Sequence, residues 1–236
     1  MIGAMRASYS IALFLAVITA AVAAQVPLSK DPSHRVTFEN AQFRIFDVNV
    51  APGQMSADHL HELDIATVSM SNSDSRIQVK GQSWGAPRKR TLGESNVTEY
   101  SGKPLSHRIE NTGRVAFQLF AVENLHKSGW STAAPASGLA TTVAKEGRAF
   151  RTYDVRLPLT TPQTSHTHLV PTIAMLVSGK VMSDGPDKQA KANAPAAVGL
   201  KQLDQPGQWV LVPAGDTHHL VRLGTTDARL VEIEVR

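Results

Sequence analysis

The sequence predicts an all-β protein in which two similar units follow one another along the chain. Short segments of β-branched or alternating apolar residues recur between Gly, Pro, Asn and Asp residues, which is typical of strands. No long segment has the apolar spacing of a helix. In addition, a set of residues repeats at a fixed offset of 107 positions, which indicates a duplicated unit.

Residues 1–24 are predicted to be a secretory signal peptide. Arg6 precedes an apolar run that begins at Ile11, and small residues end the segment at Ala23 and Ala24. The apolar run is marginal for a bilayer span, so an uncleaved membrane anchor is the less favoured alternative. We therefore expect a periplasmic or secreted protein that has no membrane contact after cleavage. A lipid anchor on cysteine is excluded because the chain has no cysteine.

Composition narrows the function classes further. The absence of cysteine from the 236 residues excludes disulfide and thiolate chemistry, and the length allows one large domain or two small ones. The formal net charge of +4 is a modest basic bias. The dense basic cluster at residues 87–90 (PRKR) lies among Gly, Ser and Pro residues. We interpret it as a solvated loop and expect no nucleic-acid partner.

The repeat includes a pair of histidines in each copy. Residues 43–50 (FRIFDVNV) resemble residues 150–157 (FRTYDVRL), and a His-x-His pair begins sixteen residues after the initial Phe of each. We predict an N-terminal unit at residues 30–127 (unit one), a linker at 128–147 and a C-terminal unit at 148–236 (unit two). In chain order, the predicted strands include residues 44–50, 65–71, 115–122, 172–179, 209–215 and 228–235.

Strand geometry gives these histidines a shared direction. Residues two apart on a strand face the same side, so the two imidazoles of each pair can enter one cavity. Each unit has a further histidine before its last predicted strand, which could complete a metal site. The predicted metal ligands are His59, His61 and His107 in unit one and His166, His168 and His218 in unit two. The alternative is that these histidines hydrogen-bond to one another or to a ligand without any metal.

These features resemble the cupin superfamily in its two-domain form, the bicupins. The motifs of that family read G-x5-H-x-H-x3-E-x6-G and G-x5-P-x-G-x2-H-x3-N. In unit two the matching residues are His166, His168, Gly179, Gly207, Pro213, Gly215 and His218, and the departures are Thr160, Thr172 and Arg222. In unit one the matching residues are Gly53, His59, His61, His107 and Asn111, and the departures are Ile65, Asn72 and the exchanged Gly102 and Pro104.

The resemblance implies two tandem jelly-roll-like β-barrels, a divalent transition metal, a small-molecule ligand or substrate, and a homodimer as one form of assembly. The metal would be Fe, Mn, Cu, Zn or Ni, since imidazole suits several of these ions. Such proteins usually add one carboxylate to three histidines, but here Ile65 and Thr172 occupy the glutamate positions. Glu62 and Asp64 lie nearby in unit one, although strand alternation directs both away from the histidines unless a bulge re-aims one. We expect no acid beside the unit-two histidines.

From this resemblance we expect a metal-dependent enzyme of dioxygenase type, since some cupin dioxygenases hold iron with three histidines and no acid. We place the reaction in unit two, with Ile173, Met175 and Val177 as the apolar walls. The alternatives are a non-catalytic protein that binds a small ligand or a metal, and a structural bicupin that has lost its activity. His34 needs no function in this interpretation, and Glu123 and Glu232 stay unassigned because alternation does not fix their direction.

Overall fold

The computed structural model describes residues 25–161, 163–184 and 202–236, and these residues form two β-barrels. Their regular structure is β-strand apart from a short 3-10 turn at Leu28–Lys30. Within these ranges no helix has the length and apolar character needed to cross a membrane. The predicted signal peptide, residues 1–24, lies outside the described residues.

Unit one contains ten strands in two five-stranded sheets. The strands are Val26–Pro27 (β1), His34–Glu39 (β2), Phe43–Val50 (β3), His59–His61 (β4), Ile65–Ser69 (β5), Asp74–Val79 (β6), Arg88–Lys89 (β7), Ser95–Thr98 (β8), Leu105–Asn111 (β9) and Phe117–Asn124 (β10). One sheet has the order β1-β4-β9-β6-β7 and the other β2-β3-β10-β5-β8.

Unit two repeats this arrangement with nine strands in its described part, and the first of these strands comes from the predicted linker, residues 128–147. The strands are Val143–Glu146 (β11), Phe150–Leu157 (β12), Gln163–Thr167 (β13), Thr172–Ser178 (β14), Val181–Asp184 (β15), Gln202–Leu203 (β16), Trp209–Val212 (β17), Thr217–Arg222 (β18) and Ala228–Val235 (β19). The sheet orders are β11-β12-β19-β14-β17 and β13-β18-β15-β16. The all-β prediction is therefore confirmed, and all six segments predicted as strands form strands.

Strand register shows how closely the two barrels correspond. β3 pairs antiparallel with β10, so that Phe46 lies opposite Ala121. β12 pairs with β19 in the same way, and Tyr153 lies opposite Glu232. Since Phe46 and Tyr153 are equivalent in the sequence repeat, Ala121 and Glu232 occupy equivalent places in the two barrels.

The two barrels share one apolar core where they pack together. Buried residues of unit one such as Phe43 and Val68 contact buried residues of unit two such as Ile173 and Val231. The ring of Trp209 also packs edge-on against Phe38 of unit one, with centroids 5.2 Å apart. Apolar burial of this extent favours docking of the two units as a single body.

This core overturns one sequence expectation. Ile173, Met175 and Val177 were expected to line the cavity of unit two, and that expectation was wrong. All three belong to the core shared with unit one, whereas Ala174 and Leu176 between them belong to the interior of unit two. The cause is strand alternation, which sends successive side chains of β14 to opposite faces of the sheet.

Asp64, which the sequence placed near the unit-one histidines, forms an ion pair between the two units. Asp64 is fully buried, and its carboxylate accepts hydrogen bonds from Arg148 Nε at 2.7 Å and from the backbone N–H of Ser101 at 2.8 Å. These contacts, against a burial effect that raises it, hold the pKa of Asp64 below its usual value. Glu62 is exposed. Both acids therefore point away from the unit-one histidines, as alternation predicted.

The closing glycine of the first motif has a structural reason in unit two. Gly179 follows β14 with a φ of 80°, in the left-handed region that favours glycine. A Cβ atom at this position would lie 2.5 Å from the backbone oxygen of Asp227. Any larger residue here would displace the loop that leads into β19.

We predict that Ile173→Ala lowers the free energy of unfolding by about 2–5 kcal/mol, because it leaves a cavity in the core that both units share. Urea unfolding followed by tryptophan fluorescence should give one transition at lower urea, since Trp209 lies in the same core. Leu159→Ala, which removes an exposed leucine, is the matched control and should change stability by less than about 0.5 kcal/mol. Two separate transitions, with only one of them shifted, would contradict a common core.

Candidate metal centres

Three histidines converge inside unit one. His59 on β4 lies directly opposite His107 on β9, and His61 follows two residues later on the same face of β4. All three are buried. One ring nitrogen from each lies within 4.8 Å of the others, which is compatible with a single metal ion between them. The structure therefore brings together all three residues predicted for this unit.

Neighbouring side chains fix the orientation of these rings. His59 Nδ1 donates to Asp31 Oδ2 at 2.6 Å, which leaves His59 Nε2 directed at the cluster. His61 stacks on Tyr100 with ring centroids 4.5 Å apart and planes 20° from parallel. His59 Nε2 and His61 Nδ1 are buried and have no hydrogen-bond partner in the described part of the chain. A carboxylate behind one imidazole and unpartnered nitrogens in front are features of metal-ligating histidines.

The corresponding cluster in unit two adds a carboxylate. His166 on β13 lies opposite His218 on β18, and His168 follows the end of β13. Glu232 Oε2 accepts hydrogen bonds from His166 Nε2 at 2.8 Å and from His168 Nε2 at 3.0 Å. The Nε2 atoms of His166 and His218 are 2.7 Å apart. Ligand atoms from these four buried residues all lie within 4.8 Å of one another.

Comparisons with known proteins agree with this architecture. Neither a scan against protein-family models nor a search of curated proteins found a match. Among solved structures, a cupin 2 conserved barrel domain protein from Leptotrichia buccalis is similar, with 10% identity, a TM-score of 0.52 and coverage of 86% of this chain and 88% of that one. The fold is that of a bicupin.

Two further solved structures are similar over most of the chain. Bacterial pirin YhhW from Escherichia coli, in complex with nickel(II), has 13% identity and a TM-score of 0.56, with coverage of 86% of this chain and 90% of that one. Salicylate 1,2-dioxygenase from Pseudaminobacter salicylatoxidans has 9% identity and a TM-score of 0.55, with coverage of 82% and 71%. At these identities the likeness concerns the fold.

Glu232 is the residue of the unit-two site that sequence reasoning missed. No acid was expected beside these histidines, and that expectation was wrong. The carboxylate comes from β19, whose Glu232 lies next to Ala174 across the sheet, and not from the motif position on β14. At that motif position Thr172 is buried and donates its hydroxyl to the carbonyl of Val170. In the sequence, Glu232 alternates with the apolar residues Val231 and Ile233, which shows that it faces the opposite side of β19 from them. The sequence did not show which of the two sides is the inside of the barrel.

His34 is a further neighbour of the unit-one histidines. The sequence offered no reason to assign it a function. His34 is buried on β2, its ring centroid is 4.5 Å from that of His59, and its Nδ1 lies 3.2 Å from Asp31 Oδ2. Sequence spacing could not reveal this contact, because β2 belongs to the opposite sheet from β4. His219, by contrast, is exposed.

The two histidine clusters differ in electrostatics. In unit one, burial and the neighbouring histidines lower the pKa of His61 to about 2 and that of His107 to about 3. In unit two, burial acts against protonation, but hydrogen bonds to Glu232 and Glu234 raise the pKa of His168 to about 9. The pKa of the fully buried Glu232 is held well below its usual range, against the effect of burial, by hydrogen bonds from His166 and His168. Thus the imidazoles of His61 and His107 are neutral at pH 7, whereas unit two contains a buried ion pair.

Both donor sets fit a divalent cation. In unit two the ionised Glu232 is fully buried and its Oε1 has no hydrogen-bond partner among the described residues. A buried carboxylate requires a nearby positive charge, and either the proton on His168 or a metal ion provides it. In unit one the neutral imidazoles of His61 and His107 already have the protonation state that metal ligation needs.

A cavity adjoins the unit-one histidines. A cavity of 170 Å³ is lined by His61 and His107 and by residues of both sheets, including Ala121. Because Ala121 occupies the place of Glu232, the absence of a carboxylate there contributes to this space. Arg88 and Arg90 line the cavity as well, and Arg88–Lys89 form β7, so the expectation of a loop at residues 87–90 was wrong there; residues 87–89 are nevertheless exposed.

We predict that metal binding to unit two releases about one proton near pH 7.5, because His168 must lose the proton that its pKa of about 9 retains. His61 and His107 in unit one should release none. Titration calorimetry with Zn²⁺ in buffers of different ionisation enthalpy measures this number. The His59→Ala/His61→Ala variant isolates unit two, and His166→Ala/His168→Ala isolates unit one. Equal proton release from both variants would contradict the assigned charge states.

The sign of the pH dependence follows from the same groups. His168 is protonated throughout pH 6–8, so the apparent Zn²⁺ affinity of unit two should fall by about tenfold for each pH unit of acidification. Protonation of His61 and His107 would contribute nothing to a pH dependence of unit one in this range. A steeper dependence in unit one than in unit two would contradict the assignment.

We predict that Glu232→Gln weakens Zn²⁺ binding in unit two by at least tenfold, because a neutral amide replaces the charged oxygen ligand. Glu123→Gln is the matched control, since Glu123 is also buried on the last strand of its barrel but lies outside the histidine clusters. Competition with a chromophoric chelator measures both affinities. Unchanged affinity in Glu232→Gln would show that the carboxylate is not a ligand.

Proposed function

We propose that the protein is a metal-dependent bicupin enzyme of oxygenase type that converts a small organic molecule in unit one and binds a second divalent metal in unit two. The observation that carries this proposal is the 170 Å³ cavity beside His61 and His107. From the sequence we expected the reaction in unit two. The described cavity, together with unpartnered nitrogens on His59 and His61, is the reason to place it in unit one.

Different residues of unit one have different roles in such a site. Asp31 holds His59 through Nδ1 and so keeps Nε2 available as a ligand atom. Tyr100 stacks on His61 and restricts its ring. Apolar side chains also line the cavity and exclude bulk water: Ile65 and Leu119 from the opposite sheet, and Ile109 from β9 beside His107.

A divalent metal held by three neutral histidines supplies Lewis acidity and leaves coordination positions open for exchangeable ligands. Imidazole ligation suits Fe, Mn, Cu, Zn and Ni to different degrees, so the donor set does not select one ion. The fold shared with salicylate 1,2-dioxygenase and with the nickel complex of YhhW supports a metal site of this general kind.

One observation favours a second function, that of a non-catalytic metal-binding protein. Unit two offers four protein ligands from His166, His168, His218 and Glu232, and a closed set of four ligands is typical of structural sites. In this alternative both metals stabilise the barrels, and the cavity of unit one binds a ligand without converting it. We also propose export from the cytoplasm, which is supported by the apolar composition of residues 1–24.

We predict that the purified mature protein binds about two divalent metal ions per chain and that each double variant, His59→Ala/His61→Ala or His166→Ala/His168→Ala, binds about one. Mass spectrometry of metal content measures this directly. Oxygen uptake with a panel of phenols and diketones should be lost in the unit-one variant and retained in the unit-two variant.

Each other result has a defined meaning. Uptake that disappears only in the unit-two variant would move the reaction to unit two. Two bound metals without uptake for any compound would favour the binding protein. A wild-type protein that takes up no metal after incubation with Fe, Mn, Cu, Zn and Ni would refute the proposal.

A further inference from the structure

The lining of the unit-one cavity combines polar and apolar side chains. Its polar lining includes hydroxyl and amide groups from Thr67, Asn96 and Thr98 on the sheet opposite the histidines. The apolar lining includes Val48, Ile65 and Leu119, among other aliphatic residues. By liquid volume, 170 Å³ corresponds to about six water molecules, which is room for one small organic molecule.

Arg90 supplies a positive charge to this cavity without a matching negative one. Other arginines of unit one form ion pairs, Arg44 with Glu39 and Glu123, Arg76 with Glu110 and Arg88 with Glu94. In the ranges that the structure describes, no carboxylate lies within salt-bridge distance of Arg90, and its enclosed Nε has no hydrogen-bond partner. Its guanidinium lies 5.6 Å from the ring centroid of Phe117, a contact that does not neutralise charge.

The remaining lining does not compensate for this charge. None of the described residues that line the cavity is acidic. Asp31 is the nearest acid to the histidine cluster, and its Oδ2 is already engaged by His34 and His59. A divalent metal on the three histidines would add further positive charge. A cavity whose lining contains arginine and no acidic residue binds anions in preference to neutral molecules.

We propose that the unit-one cavity binds a small organic carboxylate, with Arg90 as the residue that anchors the carboxylate group. The planar guanidinium can donate two parallel hydrogen bonds to a carboxylate, and the aliphatic residues of the lining contact the apolar body of the ligand. This inference rests on the proposed function for the neighbouring metal, because it names the class of molecule that would lie beside that metal. Binding to Arg90 itself needs no metal.

The test is calorimetric titration of the full mature chain, as purified and after chelator treatment, with benzoate, acetate, oxalate and inorganic phosphate. Benzamide serves as the neutral analogue of benzoate. We expect benzoate to bind at least tenfold more tightly than benzamide in the wild type. Arg90→Gln should weaken benzoate binding at least tenfold, and Arg90→Lys should recover part of the loss, since it keeps the charge without the planar geometry.

The matched control is Arg156→Gln, which removes one exposed arginine of unit two and should leave benzoate affinity unchanged. Thermal unfolding of each variant without ligand checks folding. If Arg90→Gln does not fold, the contrast between benzoate and benzamide in the wild type and the Arg90→Lys titration decide the question.

Three outcomes overturn the inference. These are equal affinity for benzoate and benzamide, unchanged benzoate affinity in Arg90→Gln, and no binding of any organic acid of the panel to the wild type. Binding of phosphate alone would overturn the assignment to carboxylates and indicate an inorganic anion. Benzoate binding through Arg90 in a protein that takes up no metal would refute the proposed function and leave this inference intact. Metal binding and oxygen uptake without any carboxylate binding would refute this inference and leave the proposed function intact.

Discussion

The packing of one barrel against the other determines which side chains enter the two interiors. On β19 the apolar residues Val231 and Ile233 face the shared core, so Glu232 and Glu234 must face the inside of unit two. A shift by one residue would bury two carboxylates between the barrels and expose their apolar neighbours. The free energy of apolar burial at this interface therefore fixes the register, and the register places the carboxylate beside the histidines.

The two barrels use the same scaffold for different charge arrangements. In unit two, Glu232 is matched by a protonated His168, whose Nδ1 is in turn held by Glu234 at 2.8 Å. Glu234 also contacts Arg151 at 3.3 Å, so the charges continue outward in a chain of alternating sign. Such a network is stable only when every buried charge has a partner, and a metal ion would replace the proton on His168 within it.

Unit one has an alanine where unit two has the carboxylate, and a cavity lies beside it. Ala121 stands at the place of Glu232, and the volume near it is part of a cavity that His61, His107 and Arg90 also line. Its acid, Asp31, lies behind His59 and comes from the segment that precedes β2, outside the repeated motif. The duplicated fold therefore presents one cluster of three histidines and a glutamate, and one cluster of three histidines with an adjoining cavity.

The sequence by itself determined the strands, the duplication and the six histidines, because strand alternation and a fixed repeat are local properties that spacing reveals. It also indicated that Asp64 points away from the histidines. The tertiary structure alone decided the partners from other strands: Glu232 beside His166, Asp31 behind His59, and Arg90 in the cavity. It likewise assigned Ile173 and Met175 to the contact between barrels. Alternation shows that successive residues face opposite sides of a sheet, but which side is the interior depends on what packs against each face, and that is a property of the assembled barrels.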